Sequence, residues 1–385
     1  MIAINKTRLG NVFFVSGAAS LNKGGFITAE QLQIVKANYP TLNTQSNLLV
    51  RIGFFILGTL LYASFVGAIS LFAMPIIEHS YKIIVFLYAA VGLAGAEFFV
   101  KKDYYGYGFD DAFITGFQIM IAVAVGVTTE SVLAGFITLS IAGAFCCLRY
   151  VNIVAALLTL IGITGIFCSL ILEYGIIPKL YLSFVLFFLA IGMYVAYSKL
   201  VALKQSYFYQ TALRVMQIFS LTLGYLSVNY LVVRELSSKL MGIVVTPGGD
   251  IPLAFIFYGL TFIIPLAYVV FALKTKSRNL LIVGLLAFAF SIFSIKYYYN
   301  FMPIEVALIL GGIILFAFSY FCIIRLKNKE SGITFMRDRN TDANSMLYAQ
   351  AIIINSQINV GVSTPESEMP FGGGGFSGGG AGDSF

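Results

Sequence analysis

Long apolar stretches separated by short polar or basic connections fill the chain between residues 50 and 324. A helix needs about 20 apolar residues to cross the hydrocarbon of a bilayer. On that measure the pattern predicts ten transmembrane helices, at 50–73, 82–100, 111–128, 131–148, 151–172, 180–198, 213–233, 252–273, 279–296 and 304–324. The third and fourth are short and close together, so a re-entrant hairpin stays open for that pair; eight spans would then remain, with each terminus on the same side. The expected fold is all-α, a polytopic transmembrane helix bundle.

The flanks read differently. Residues 1–49 are polar and mixed, with no short apolar run ending at a cleavable small-residue site, so the first span is expected to stay as a signal anchor. Within them Thr28-Ala-Glu-Gln31 has capping-box spacing and predicts a short helix through Tyr39, stopped by Pro40. Residues 325–364 form a second segment outside the membrane, where Leu347, Ala351, Ile354 and Ile358 give one apolar stripe at helical spacing. From 365 to 385 the chain is rich in Glu, Ser and Gly, cannot bury a core and is expected to be disordered.

Charge sets the expected direction. Of the 24 Lys and Arg, all but Lys82, Lys179, Arg234, Lys239 and Lys296 fall on the termini and alternate connections that share a side with the N-terminus. Basic residues in short loops stay cytoplasmic, so both termini are expected inside the cell.

Composition agrees with a membrane protein. Hydrophobic residues make up 59% and charged residues 11%, against roughly a quarter charged in a soluble domain. With 36 Phe, 23 Tyr and no Trp, any aromatic belt at the water boundary is built from Tyr and Phe. The net charge of +7 belongs to the loops and does not call for nucleic acid. Cys146, Cys147, Cys168 and Cys322 all lie in apolar runs without a CxxC pair and read as small buried hydrophobes.

The Gly24–Gln31 stretch (Gly-Gly-Phe-Ile-Thr-Ala-Glu-Gln), a first span about twenty residues later, Tyr107-Gly-Phe-Asp-Asp-Ala112 opening a span, and Tyr297-Tyr-Tyr299 before a last span ending in Arg325 carry a resemblance. Together they resemble a family of bacterial multi-pass inner-membrane proteins of unknown function. That resemblance implies a bacterial inner-membrane location and no activity, so it carries over no functional residues.

Few polar positions lie within the apolar runs. Glu97 is expected to pair with Lys101 one turn on, and Asp110 and Asp111 to cap the third span. Gln118, Asn152, Gln217 and Asn229 are read as hydrogen-bonding across helices, with a cavity for a polar or lipid-like ligand as the alternative. Ala122 with Gly126, and Ser140 with Ala144, allow close helix approach. Pro265 is expected to interrupt the eighth span, and Gly162 and Gly165 to loosen the fifth. Thr246-Pro-Gly-Gly-Asp250 reads as a turn, and Arg234 and Glu235 as a surface pair.

Enzyme signatures are missing: no GxSx sequence lies in a span, one histidine cannot supply an HExxH site, and Glu78-His79 in the first outer loop is a bare acid/base pair. No catalytic residue, metal or cofactor is therefore expected. In the tail, Phe371, Phe376 and the terminal Asp383-Ser384-Phe385 suit capture by a groove that binds a C-terminal strand. The sequence-level reading is a non-enzymatic scaffold or sensor whose partners are the lipid bilayer and a protein bound by the tail. The alternative is a transporter or flippase for a weakly charged or lipid-like substrate.

Overall fold

In a computed structural model the chain is a helical bundle; residues 2–23, 26–240, 250–298 and 304–326 are described. Among them the sole extended pairing is one isolated bridge between Asn43 and Tyr104. The C-terminal apolar stripe and the Phe371–Phe385 tail lie outside the described residues, as do the side chains of Glu78, His79 and Cys322.

Two helices precede the bundle, α1 (Lys6–Lys23) and α2 (Ala29–Asn38). The capping box opens α2 as expected: Gln31 N–H donates to Thr28 Oγ1 at 3.2 Å, and Thr28 N–H donates to Gln31 Oε1 at 2.9 Å. Helix α1 is a finding beyond the sequence reading. Asn5 starts it by accepting from Thr7 and Arg8 amides, and its Leu9 is fully buried beside Ile4, Leu42 and Val151.

Helix α3 (Leu48–Lys101) is 54 residues long. Straight, it would reach about 81 Å, far more than the ~30 Å of hydrocarbon. It instead folds back: the Tyr62 hydroxyl donates to the Tyr88 carbonyl at 2.8 Å, across a separation that a straight helix would hold at about 39 Å. The two predicted first spans are thus the arms of one helical hairpin, Leu48–Ala73 and Lys82–Lys101.

Next come α4 (Phe109–Thr129), α5 (Val132–Tyr150), α6 (Ile153–Leu172), α7 (Leu182–Val201) and α8 (Gln210–Leu226). Helix α9 (Tyr230–Lys239) follows, then α10 (Ala254–Thr275), α11 (Arg278–Tyr298) and α12 (Ile304–Leu326). Helices α4 and α5, with 21 and 19 residues, are both long and apolar enough to cross. Among the described residues seven helical segments pass that test, and eight if Ser206–Leu226 and Tyr230–Lys239, bent by 73°, count as one broken span. The chain is therefore a multi-pass membrane protein, and lipid accounts for side chains such as Phe188 and Leu286, 67% and 66% exposed in the middle of apolar helices.

Polar contacts sort the connections into two ends. Asn43 meets Asp103, Ala3 N–H donates to Arg149 O, and the Tyr209 hydroxyl donates to Leu148 O, all at the end that carries α1 and α2. At the other end Lys82 pairs with Glu130, and Ser131 approaches Tyr174.

Three local expectations change. Gly162 and Gly165 do not loosen α6; they are its contact face, where an added Cβ would stand 2.8 Å from Ser140 N and 2.3 Å from the Phe136 ring. Helix α10 runs through a buried Pro265 without a break. The span predicted at 213–233 is broken after Leu226.

Candidate functional site

Among the helices that begin at the end of the bundle that holds α1 and α2, three converge: α3, α4 and α6. Their first turns carry Arg51, then Asp110 and Asp111, then Asn152 at the N-cap of α6. The loop into α4 makes this convergence possible. Gly106 has φ +58° and Gly108 φ +119°, which L side chains rarely adopt. A Cβ on Gly108 would also stand 2.5 Å from Arg51 O, and one on Gly106 3.2 Å from the Arg51 guanidinium carbon. Curled this way, the loop turns the amides of Gly106, Tyr107 and Gly108 onto the Asp110 carboxylate at 2.6, 3.0 and 2.9 Å.

Asp111 faces the other way. Arg51 donates to its Oδ2 from Nε at 2.8 Å and from Nη2 at 2.6 Å, and Asn152 Nδ2 donates to its Oδ1 at 2.7 Å. Both carboxylates are buried, at 3% and 4% exposure, where an unpartnered charge would be costly. Negative charge at the N-terminus of α4 also opposes the helix dipole. Capping, the sequence expectation, is therefore half of the arrangement; the cross-helix ion pair is the other half.

Beside this pair, Arg149 Nε and the Tyr150 hydroxyl donate to Glu97 at 2.7 and 2.5 Å. The expected Glu97–Lys101 pair is thus superseded by a partner on α5, and the carboxylate ties the α3 hairpin to the start of the α5–α6 link. That link is abrupt because Val151 sits in the left-handed region, φ +52°.

Above these helix ends lies a cavity of about 660 Å³, closed by α1, α2 and the segment between α2 and α3. Arg51, Asp110, Asp111 and Asn152 form its floor, Lys36 on α2 and Tyr105 are among its walls. Burial pushes the Tyr105 hydroxyl up to about 12, further from ionisation than a free phenol.

No family model, curated protein or solved structure matches the chain. The site must therefore be judged on its own chemistry. Among the described residues no three His, Cys, Asp or Glu side chains gather as a metal group. Among the described residues no Ser, Thr or Cys side chain is seen donating to a carboxylate, and the polar groups of the floor hold one another's charge.

The other singled-out positions lie elsewhere. Gln118 is fully buried between helices; neither its amide nitrogen nor its oxygen has a nitrogen or oxygen hydrogen-bond partner among the described residues, and the weakly polar Cys146 thiol lies beside it. Gln217 links α8 to the start of α11, donating to Ser277 Oγ at 3.4 Å and accepting from Asn279 at 3.1 Å. Neither glutamine lines this cavity or the two apolar grooves at α4/α5 and α5–α8.

Asn229 is the N-cap of α9. Its Oδ1 accepts from Val232 N–H, and its Nδ2 donates to the Tyr225 hydroxyl at 2.8 Å and to Ser294 Oγ at 3.0 Å. Ser291 and Thr261 extend this buried network across α10 and α11. Just outside it, Arg234 Nη1 donates to the Tyr230 hydroxyl, which donates to Asp250, while Glu235 pairs with Lys239.

Sequence reasoning missed Arg51, Tyr105 and Lys36. The signal was present in Tyr105-Gly-Tyr-Gly-Phe-Asp-Asp111, where two glycines next to two aspartates mark a loop built to aim amides.

Proposed function

We propose that this is a bacterial inner-membrane protein of ten spans, with both termini in the cytoplasm, that acts as a non-enzymatic sensor. A ligand in the cytoplasmic cavity sets the position of the α1–α2 segment, and the cytosolic regions, including the Gly/Phe tail, present that state to a protein partner. The cavity carries this reading: a half-open chamber of about 660 Å³ with Arg51, Asp110, Asp111 and Asn152 at its floor and a small helical segment over it. The cover is held by Arg8 to Asp103, Ala3 to Arg149, the bonds of Asn43 to Asp103, Tyr105 and Lys102, and one apolar cluster of Ile4, Leu9 and Leu42 on Val151. Lysine and arginine gathered on the same end support its cytoplasmic placement.

The test is a distance. Spin labels at Ala37→Cys on α2 and Lys102→Cys at the bundle end, in a background without native cysteines, are measured in purified protein. The measurement is repeated after adding the small-molecule fraction of host cytosol. A shifted distribution supports sensing; one narrow distribution under both conditions overturns it. Deleting 366–385 is expected to change the set of co-purifying proteins, and an unchanged set would remove the tail from the proposal.

A second reading, a transporter or flippase for a weakly charged or lipid-like substrate, draws on the broken α8–α9 span. Helix breaks in transporters expose backbone groups to substrate. Here the polar side chains at the break bond to one another, which favours a structural use.

A further inference from the structure

We infer that the cavity beneath α1 and α2 binds a ligand carrying a phosphate or comparable multi-oxygen anion. The inference names the ligand class for the sensor reading and rests on that reading for what binding accomplishes.

Charged and polar side chains face the chamber from its floor and its walls. The two carboxylates, the obvious partners for a cation, are already engaged. Asp110 accepts three backbone amides, and Asp111 accepts from Arg51 and Asn152 on separate oxygens. The charged and phenolic groups still open are donors, and the wall hydroxyls of Ser20, Thr44 and Ser46 can donate as well as accept. Arg51 uses Nε and Nη2 on Asp111, which leaves Nη1 without a partner. Lys36, on the α2 wall, makes no ion pair among the described residues. The Tyr105 hydroxyl has no hydrogen-bond partner among them either.

A ligand that fills such a site must accept hydrogen bonds from several directions. A cationic or purely donor ligand would leave these groups unpaired and meet Lys36 head-on. Guanidinium and ammonium donors close together are the usual recognition set for phosphate oxygens. The first turns of α3 and α6 at the floor add the favourable ends of two helix dipoles, that of α4 being met already by Asp110 and Asp111.

Phosphate oxygens could come from a soluble compound or from the headgroup of an anionic lipid, because the chamber lies where the bundle meets α1 and α2. The experiment separates the two. Full-length protein in phosphatidylcholine nanodiscs is titrated with inorganic phosphate by calorimetry. In a parallel arm it is placed in nanodiscs of equal parts phosphatidylcholine and phosphatidylglycerol, and retained lipid is counted by native mass spectrometry. Lys36→Gln and Tyr105→Phe are compared with the parent, each checked for an unchanged unfolding profile. They remove one donor apiece without touching the Arg51–Asp111 pair.

Saturable phosphate binding, about tenfold weaker in each variant, would establish a soluble ligand. Phosphatidylglycerol retention lost in both variants, without phosphate uptake, would establish a headgroup site. Binding of neither, or binding of either equally in parent and variants, overturns the inference. Phosphate binding with no change in the Ala37–Lys102 label distance would leave the anion site standing and remove the sensing role, so the two failures are distinguishable.

Discussion

Asn152 donates from Nδ2 to Asp111 Oδ1 at 2.7 Å while its own Oδ1 accepts from Ala155 N–H at 2.9 Å, so one side chain starts α6 and fixes the carboxylate of α4. Because Asp111 in turn holds Arg51 of α3, three helices are registered through a single buried carboxylate. Asp111→Ala is expected to cost about 3–5 kcal/mol, since it leaves a largely buried guanidinium without its counter-ion. Asn152→Ala should cost about 1–2 kcal/mol, the usual loss for an N-cap plus a buried hydrogen bond. The double variant Arg51→Met with Asp111→Leu should recover most of the loss, because no charge is then stranded. Unfolding midpoints in detergent give all three values, and a double variant no better than Asp111→Ala would show that the pair is not the source of the cost.

The fold-back of α3 and its seat on α4 rest on close approach. A Cβ on Gly92 would stand 2.6 Å from the Phe117 backbone nitrogen, which cannot move aside as a flexible side chain could. Gly92→Ala is therefore expected to destabilise by about 1–3 kcal/mol. Tyr62→Phe, which loses only the hydroxyl bonded to Tyr88 O, should cost about 0.6 kcal/mol, the average for such bonds in membrane bundles. The same detergent unfolding measurement ranks the two, and a larger loss for Tyr62→Phe would contradict this packing.

How much of this was legible in the sequence depends on the range of the interaction. Span positions follow from local apolarity, and the capping box at Thr28 and Gln31 from a spacing of three, so both were readable. Helix α1 was not read, although Asn5 and the Leu9, Val12, Phe13 series carry its cap and apolar face, because its stripe is short and mixed with polar residues. Glu97 was paired with Lys101 because a single sequence offers only near neighbours; its partner Arg149 is 52 residues away. The break before α9 was hidden for a similar reason. Asn229 reads as one more polar residue in a span until the hydroxyls of Tyr225 and Ser294 are known to surround it.

Gln118 yields a prediction of opposite sign. Its buried amide has no partner among the described residues stronger than the Cys146 thiol, and a polar group left that way costs about 1–3 kcal/mol relative to a satisfied or apolar one. Gln118→Leu, close in size, should therefore raise the unfolding midpoint. A fall instead would mean that the amide holds something the bundle needs, such as an internal water or a ligand, and would return this position to the list of functional residues.

The last prediction concerns direction in the membrane. Lys102 and Lys179 are both exposed, the first at the end that carries α1 and α2, the second between α6 and α7 at the opposite end. If basic loops are held in the cytoplasm, a membrane-impermeant thiol reagent applied to intact cells should label Lys179→Cys and leave Lys102→Cys unmodified until the membrane is opened. The native cysteines, read as small apolar fillers, are replaced beforehand, so any labelling reports the introduced thiol. The reverse pattern would put α1, α2 and the anion cavity outside the cell and end the cytoplasmic sensor reading. Labelling of both sites in intact cells would mean that the segments between them do not carry the chain across an odd number of times, as α4, α5 and α6 together require.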